Sequence, residues 1–483
     1  MTTPRPITLA AVGSNFEREP LVRPFGFKGG YMSEIWQSVA MLQSESGQRG
    51  IGLCSQGVLW SDAQVFAGHS ESGGNTLMYA MTEWAIQQLK GQTFTNPVDL
   101  LESIRHDVHA YGKKITGHAG LRETFALNAL VGVDFAAWQL YAAENGITRF
   151  DDTIPAAYRP ALAHRHAKVA SIPLMAYGIP IEELKTAVEA GYFFMKIKIG
   201  QPGTQAEMLE KDKARISAIH AAIGHARTPY TANGKLPYYF DANGRYESKD
   251  TLQRLIDHTQ AIGAFDQIAL IEEPFPEELE IDIRDIPARV AADESAHTDR
   301  DALKRIQMGY TAIALKPIAK TFSISLKIAQ VAHEHGVPCF CADLTVSPLL
   351  IEWNKNVAAR LAPFPGLGIG LVETNGHQNY RNWETMRGYH PRAEADREDL
   401  QYVAQDRAGR PRAWRAVFLR GSHGEPPADR VEQERRRAPR TVSGLGYRLG
   451  GDERAPELSE LGDDARLSPA RRRPVGADAA RRV

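Results

Sequence analysis

Two lysines stand at alternate positions in an otherwise apolar stretch, which reads FFMKIKIG at residues 193–200. Alternation places Lys196 and Lys198 on the same face of a β-strand, one pleat apart. Two neighbouring ammonium groups repel each other, and an apolar strand does not bury them unless something nearby neutralises or uses them. The stretch therefore predicts either acidic groups around the two lysines or a reaction in which a lysine takes part.

Charged residues also end six strand-like segments that follow this stretch. They are Asp241, Glu272, Asp293, Lys316, Asp343 and Glu373, and successive members are 21 to 31 residues apart. This spacing is about the length of one strand and one helix, so we expect each residue to end a successive parallel strand. The six residues would then lie together on one face of a barrel. The first three would offer oxygen ligands suited to Mg²⁺, with lysines on both sides of the metal.

The elements that must position these residues fall into two differently patterned regions. From about residue 171 to residue 375, eight apolar strands alternate with amphipathic helices, as in a parallel (β/α)8 barrel. Residues before about 165 mix short strands and helices, which indicates an α+β domain. We therefore predict an α/β fold with an α+β domain at residues 1–165 and a barrel at residues 166–390 that carries the charged residues.

The last predicted region, residues 391–483, differs in composition. It contains 20 arginines and no lysine, whereas lysine is used freely up to Lys355. Apolar residues are sparse and show no helix or strand period, so we expect an Arg-rich, poorly ordered tail. A nucleic-acid-binding arm is the alternative, although the 16 acidic residues of this segment leave a net charge of only +4.

The overall composition narrows the range of partners. The formal net charge of −1 argues against nucleic acid or a membrane surface recognised through bulk charge. The three cysteines are too few for a disulfide framework, which fits a reducing compartment. No apolar run approaches the roughly 20 residues of a membrane span, and the N-terminus lacks a convincing signal-peptide core. We expect a cytoplasmic protein that binds neither nucleic acid nor membrane.

The charged strand ends fall in short motifs that together resemble the enolase superfamily. These motifs are the K-x-K of Lys196 and Lys198, the D-x-N from Asp241, the E-E-P from Glu272, the D-E-S from Asp293 and the L-K-P around Lys316. The arrangement is similar to the muconate-lactonizing enzyme, dipeptide epimerase and mandelate racemase branches, and it covers roughly residues 30–390. The resemblance implies a (β/α)7β TIM-like barrel under an α+β capping domain.

The resemblance also implies a metal-dependent reaction on a small carboxylate. Mg²⁺ would be held by Asp241, Glu272 and Asp293, and it would bind the substrate carboxylate and stabilise an enediolate. Cap residues near 25–34 and 53–57 would close over the substrate and set specificity.

The lysines of the resembling motifs imply acid–base chemistry. Lys198 would remove the proton α to the carboxylate, and the positive charges of Lys196 and the metal would favour the neutral form that a base requires. Lys316 would act from the other side of the substrate. The resemblance thus implies catalytic roles for these three lysines.

Two departures from the resembling group bear on the reaction. Thr321 and Phe322 follow Lys320, where that group usually has a Gly-Gly pair. Asp343 ends the seventh strand, where the mandelate racemase branch carries a histidine, so the His-Asp dyad on which many acid-sugar dehydratases rely looks absent. We therefore favour a racemase or epimerase, for example one that acts on a dipeptide or an N-substituted amino acid.

Further expectations concern substrate contacts and alternatives. Asn243, Asp343 and Glu373 are predicted to bind substrate, and a structural role for the two carboxylates is an equal alternative. An acid-sugar dehydratase or a cycloisomerase is the alternative reaction. A catalytically silent barrel that acts as a binding protein is the third hypothesis. The intact set of carboxylates and lysines argues against it.

The partners we expect are a small-molecule carboxylate and further copies of this chain in a homo-oligomer.

Overall fold

The computed structural model describes residues 4–28 and 30–388 of the 483-residue chain. These residues form a four-stranded antiparallel sheet and a nine-stranded parallel sheet, with helices on both parts of the chain. The tail predicted at residues 391–483 lies outside the described residues. Within the described part, no helix is both long enough and apolar enough to cross a membrane.

The N-terminal α+β part combines the antiparallel sheet, of order β3-β2-β1-β4, with five helices. Its strands are β1 (Ile7–Phe27), β2 (Gly30–Ser44), β3 (Arg49–Ser55) and β4 (Thr93–Phe94). Its helices are α1 (Val58–Ser61), α2 (Ala63–Leu89), α3 (Pro97–Thr116), α4 (Glu123–Glu144) and α5 (Phe150–Thr153), followed by 3-10 turns at Ala156–Tyr158 and Pro160–Leu162. The helix α4 is buried along most of its length, which explains its lack of a polar face.

The barrel contains the eight predicted strands, with the first divided in two. Its halves are β5 (Val169–Ile172) and β6 (Leu174–Met175), and Pro173 between them has no N–H to continue the ladder. The others are β7 (Met195–Lys198), β8 (Tyr238–Asp241), β9 (Ile268–Glu272), β10 (Val290–Ala292), β11 (Ala312–Leu315), β12 (Cys339–Cys341) and β13 (Gly370–Glu373). All neighbours are parallel, and β5 pairs with β13 while β6 pairs with β7, so the sheet closes except at Pro173.

Helices link most of the barrel strands. They are α6 (Ile181–Glu189), α7 (Gln205–Ile223), α8 (Lys249–Ala261), α9 (Asp299–Gln307), α10 (Pro317–Lys320), α11 (Phe322–Glu334), α12 (Ile351–Ala358), α13 (Gly376–Asn379) and α14 (Trp383–Gly388), with 3-10 turns at Phe265–Gln267 and Glu277–Leu279. Reciprocal side-chain caps, formed by Thr204 with Glu207 and by Thr298 with Asp301, begin α7 and α9. These caps fix where two of the strand-to-helix loops end.

Close packing of β3 on α4 positions a segment that reaches the barrel. A Cβ added at Gly52 would lie 1.9 Å from the backbone oxygen of Gly132, so only glycine allows this approach. Because β3 and α4 lie this close together, the side chain of Asn128 on α4 accepts from the N–H of Gly57 at 2.8 Å and donates to the carbonyl of Ser55 at 3.2 Å. The helix therefore fixes the turn that follows β3.

We expect Gly52→Ala to destabilise the fold by about 2 kcal/mol or more, because the added methyl group must push α4 away from β3. Gly68→Ala is the matched control, since no atom lies within 4 Å of a Cβ added at that helical position. It should change the free energy of unfolding by no more than about 1 kcal/mol. Urea unfolding followed by circular dichroism measures both, and equal stability of the two variants would contradict the assigned contact.

Candidate active site and metal centre

The two lysines of β7 both reach the carboxylate of Asp241 on the neighbouring strand. Lys198 and Asp241 are register partners, as are Asp241 and Glu272, so the three residues follow one another around the barrel. The Nζ atoms of Lys196 and Lys198 lie 2.9 Å and 2.5 Å from the same oxygen, Asp241 Oδ2. Burial alone would raise the pKa of Asp241, but the two ammonium groups outweigh it and lower that pKa to about 2. Asp241 thus offsets the repulsion between the lysines.

Lys196 is surrounded by carboxylates. Its Nζ also lies 3.2 Å from Glu272 Oε1 and 3.1 Å from Glu373 Oε2, and the residue is almost fully buried. Burial acts to lower the pKa of Lys196, but the attraction of Asp241, Glu272 and Glu373 raises it well above the usual value. Lys196 is therefore held as a positive charge.

Lys198 has a different set of neighbours. Its Nζ donates to Asn243 Oδ1 at 2.6 Å and lies 5.4 Å from the ring centre of Phe27 in the N-terminal sheet. Asn243 has a left-handed backbone, with φ of 46°, which asparagine tolerates better than most residues. Its amide nitrogen donates to Glu294 Oε1 at 2.8 Å. Asn243 therefore ties the orientation of Lys198 to the loop after β10.

Lys316 reaches the opposite side of the acidic cluster. Its ammonium group contacts Asp293 Oδ2 and lies 4.4 Å from the ring centre of Trp60. The indole nitrogen of Trp60 also donates to Asp293 Oδ2, at 3.3 Å. Burial acts to lower the pKa of Lys316, but the attraction of Asp293 outweighs it and raises the pKa.

Three carboxylates could hold a metal ion within the described residues. Glu272, Asp293 and Glu294 each present an oxygen, and these oxygens all lie within 4.8 Å of one another. Glu272 Oε2 and Glu294 Oε2 are buried and have no hydrogen-bond partner among the described residues, a costly state that a cation would relieve. Burial, the largest influence, raises the pKa of Glu272 to about 8. The chemistry of this donor set fits Mg²⁺.

Asp241, which the sequence assigns to the metal, lies beside this group but is held by Lys196 and Lys198. Its register pairing with Glu272 keeps it on the adjacent strand. The structure therefore places the three predicted ligands on neighbouring strands, but among the described residues the oxygens close enough to share a cation belong to Glu272, Asp293 and Glu294, and Asp241 is not one of this group.

The predicted substrate carboxylates are extensively hydrogen-bonded. Asp343 accepts from the N–H groups of Leu344 at 2.8 Å and Asn375 at 2.8 Å, and Glu373 accepts from the N–H of Asp343 at 3.0 Å. Burial and the nearby charge of Glu373 raise the pKa of Asp343 to about 7. Both residues line the cavity next to the lysines, so either a substrate contact or a structural role is compatible with their position.

One small cavity, of about 30 Å³, joins the lysines to the N-terminal part of the chain. Six of the nine predicted site residues line it, namely Lys196, Lys198, Asn243, Lys316, Asp343 and Glu373. Its other side is formed by the apolar roof, which we define as Phe25, Phe27, Met32, Ile35 and Trp60. The cap segments predicted at residues 25–34 and 53–57 thus contribute to the cavity, and the lining extends slightly beyond them to Ile35 and Trp60.

Sequence reasoning did not assign Trp60, Glu294 or Lys320 to the site. The ammonium group of Lys320 contacts the backbone oxygen of Asp293 and lies 3.2 Å from its Oδ1. Glu294 is the middle residue of the D-E-S motif, and Lys320 follows Lys316 by one helical turn. Their positions in the sequence could therefore have indicated that both belong to the site. Trp60 carried none, because only the packing of α4 brings it to the barrel.

Comparison with known proteins assigns the barrel to a family. The model described as enolase C-terminal domain-like matches residues 181–387, a segment that contains every charged residue discussed above. This segment of the barrel belongs to the enolase C-terminal domain-like family. No match is found among the curated proteins.

Solved structures of enolase-superfamily members share the fold of this chain. The L-Ala-D/L-Glu epimerase from Bacillus subtilis, in a substrate-liganded complex, is 18% identical with a TM-score of 0.56, covering 75% of this chain and 89% of that chain. A dipeptide epimerase from Enterococcus faecalis V583, complexed with Mg and L-Leu-L-Tyr, is 18% identical with a TM-score of 0.53, covering 76% and 90%. L-talarate dehydratase from Polaromonas sp. JS666, complexed with Mg and L-glucarate, is 19% identical with a TM-score of 0.53, covering 78% and 88%.

The contacts of Asp241 and Glu294 lead to a test of the metal ligands. We expect Asp241→Asn to weaken binding of Mn²⁺, used as a probe for Mg²⁺, by about 100-fold, because a negatively charged ligand is lost. Glu294→Gln should weaken it by less than about tenfold, since Glu294 already accepts from Asn243. Isothermal titration calorimetry measures both affinities, and the reverse order would make Glu294 the ligand in place of Asp241.

Proposed function

We propose that this protein is a Mg²⁺-dependent racemase or epimerase that inverts the carbon α to a substrate carboxylate. The observation that carries the proposal is the placement of two lysines. Lys198 ends the second of the eight barrel strands and Lys316 follows the sixth, so they enter the cavity from opposite sides of the barrel. A substrate bound between them would have one lysine on each side of its α-carbon.

Inversion requires that one lysine take a proton and the other return one. The neutral amine removes the proton from the α-carbon, and the electron pair of that bond moves toward the carboxylate. The other lysine, as ammonium, then protonates the opposite face, which inverts the carbon. For the other enantiomer the two roles exchange. Asp241, Glu272 and Asp293 would hold Mg²⁺, which supplies positive charge at the substrate carboxylate when bound.

Lys196 and Asn243 would support this chemistry without exchanging the α-proton. The surrounding carboxylates hold Lys196 as a cation, and it lines the cavity, so it would stabilise negative charge on the substrate. Asn243 holds Lys198 Nζ through a 2.6 Å hydrogen bond and would orient it toward the substrate.

The apolar roof favours substrates with a small carboxylate head and an apolar substituent. Phe25, Phe27, Met32 and Ile35 offer no hydrogen-bonding side chain, and the indole nitrogen of Trp60 already donates to Asp293. Sugar hydroxyl groups buried against this surface would lose hydrogen bonds to water. The roof thus supports the epimerase reaction, for example on an apolar dipeptide or N-acylamino acid, over dehydration of an acid sugar.

A one-base lyase, either an acid-sugar dehydratase or a cycloisomerase, is the second candidate. Superposition on a dehydratase of similar fold is the observation in its favour. No histidine lines the cavity among the described residues, so the dyad on which many such dehydratases rely has no counterpart there. A silent binding barrel is disfavoured by the complete set of lysines and carboxylates.

A substrate screen tests the proposed reaction. Proton NMR in D₂O with Mg²⁺ should detect loss of the α-proton signal, without a new product, for apolar dipeptides or N-acylamino acids. Acid sugars should react at least about 100-fold more slowly, because their hydroxyl groups would face the apolar roof. A keto acid formed from an acid sugar at a comparable rate would replace the proposal with the dehydratase.

Variants of the two lysines test the two-base scheme with a substrate from this screen. Lys316→Ala should stop inversion but still exchange the α-proton of one enantiomer with deuterium, and Lys198→Ala should show the opposite preference. Lys196→Arg should weaken catalysis less than either, because it keeps the charge. Lys185→Ala, at an exposed ion pair on α6, is the control and should behave as wild type. Equal exchange into both enantiomers by Lys316→Ala would rule out two bases.

A further inference from the structure

Lys320 lies behind the metal centre and differs from the other three lysines of the site. Its side chain is fully buried, and the residue does not line the cavity, so it is shielded from both water and substrate. Its ammonium group contacts the backbone oxygen of Asp293 and lies 3.2 Å from Asp293 Oδ1. Lys316 occupies the other carboxylate oxygen, Oδ2. Each oxygen of this proposed metal ligand therefore lies within ion-pair distance of an ammonium group, although Oδ1 accepts no hydrogen bond among the described residues.

The backbone around Lys320 holds it in this position. Thr321, the next residue, has φ of 73° and ψ of 154°, a conformation that costs a threonine energy and that glycine adopts readily. Asp134 of α4 accepts from the N–H of Phe322 at 2.8 Å and from that of Ser323 at 3.0 Å, which anchors the following helix. The segment that follows Lys320 is thus fixed from outside the barrel.

The fixed position of Lys320 has an electrostatic consequence for a cation at Asp293. A positive charge next to a ligand oxygen repels an incoming divalent cation and competes for the electrons of that oxygen. Lys316 lines the cavity in which a substrate would lie, but Lys320 is fully buried and does not line it. The repulsion from Lys320 therefore persists after the metal binds.

We propose that Lys320 is a built-in counter-charge that weakens cation binding at Asp293, so that tight binding of the metal requires the negative charge of a carboxylate substrate. The inference rests on the metal centre of the proposed function but not on the inversion reaction. It makes Lys320 a positioning residue that acts through Asp293, not a catalytic residue.

The test is the affinity for Mn²⁺ in the absence of substrate, measured by calorimetry on the full chain. Lys320→Met and Lys320→Gln remove the charge and should bind Mn²⁺ about tenfold more tightly than wild type. The glutamine variant retains an N–H donor for the backbone oxygen of Asp293. Lys320→Arg keeps the charge and should change the affinity by less than about threefold. Lys327→Met is the matched control, because Lys327 pairs with Glu102 and Asp299 and should leave the affinity unchanged.

The possible outcomes separate this inference from the proposed function. Tighter binding by both neutral variants supports it, because loss of a merely structural lysine would not strengthen a metal site. Unchanged or weaker binding, or failure of both neutral variants to fold by circular dichroism, overturns it. If wild-type protein bound no Mn²⁺ with or without a carboxylate substrate, the metal centre of the proposed function would itself be wrong.

Discussion

Asp241 binds the ammonium groups of Lys196 and Lys198 in the buried part of the barrel, and Asp293 binds that of Lys316 in the same way. Neither sign of charge could be buried there alone, since an unpaired ion in a protein interior costs several kcal/mol. The lysines and carboxylates therefore depend on one another. Because the opposite charges must lie next to each other, they constrain which strands can be neighbours and in which register. A metal ion would bind where the lysines already neutralise the carboxylates.

The closed barrel places these lysines and carboxylates beside one cavity, in positions from which they could act on a substrate. Parallel strands end at one face, so residues at consecutive strand ends lie side by side, and residues four strands apart lie on opposite sides. Lys198 and Lys316 stand in the second relation, with carboxylates between them. The N-terminal part of the chain adds what the barrel cannot supply, an apolar surface over the lysines. Its position depends on the glycine-permitted contact between β3 and α4.

The sequence was sufficient to predict the features that depend on the local repeat of apolar and polar residues, which are the strands and the helices between them. Eight strands were recognised, and the regular spacing of strand–helix units places a charged residue at the ends of seven of them, as with Asp241 and Glu272. Contacts between distant segments could not be predicted in this way. Trp60 reaches Asp293 only because α4 holds the turn after β3, and the strained backbone of Thr321 is stable only because Asp134 anchors the helix that follows it. Neither contact leaves a periodic signal in the sequence.

Anomalous X-ray diffraction from crystals soaked in Mn²⁺ tests the central claim most directly, because it locates the cation among the buried charges. The account predicts one strong peak bonded to oxygens of Asp241, Glu272 and Asp293, with Lys198 and Lys316 on opposite sides of the cavity beside it. A cation bound elsewhere would contradict the account. So would the absence of any bound cation at millimolar Mn²⁺, with the ammonium groups still in contact with these oxygens.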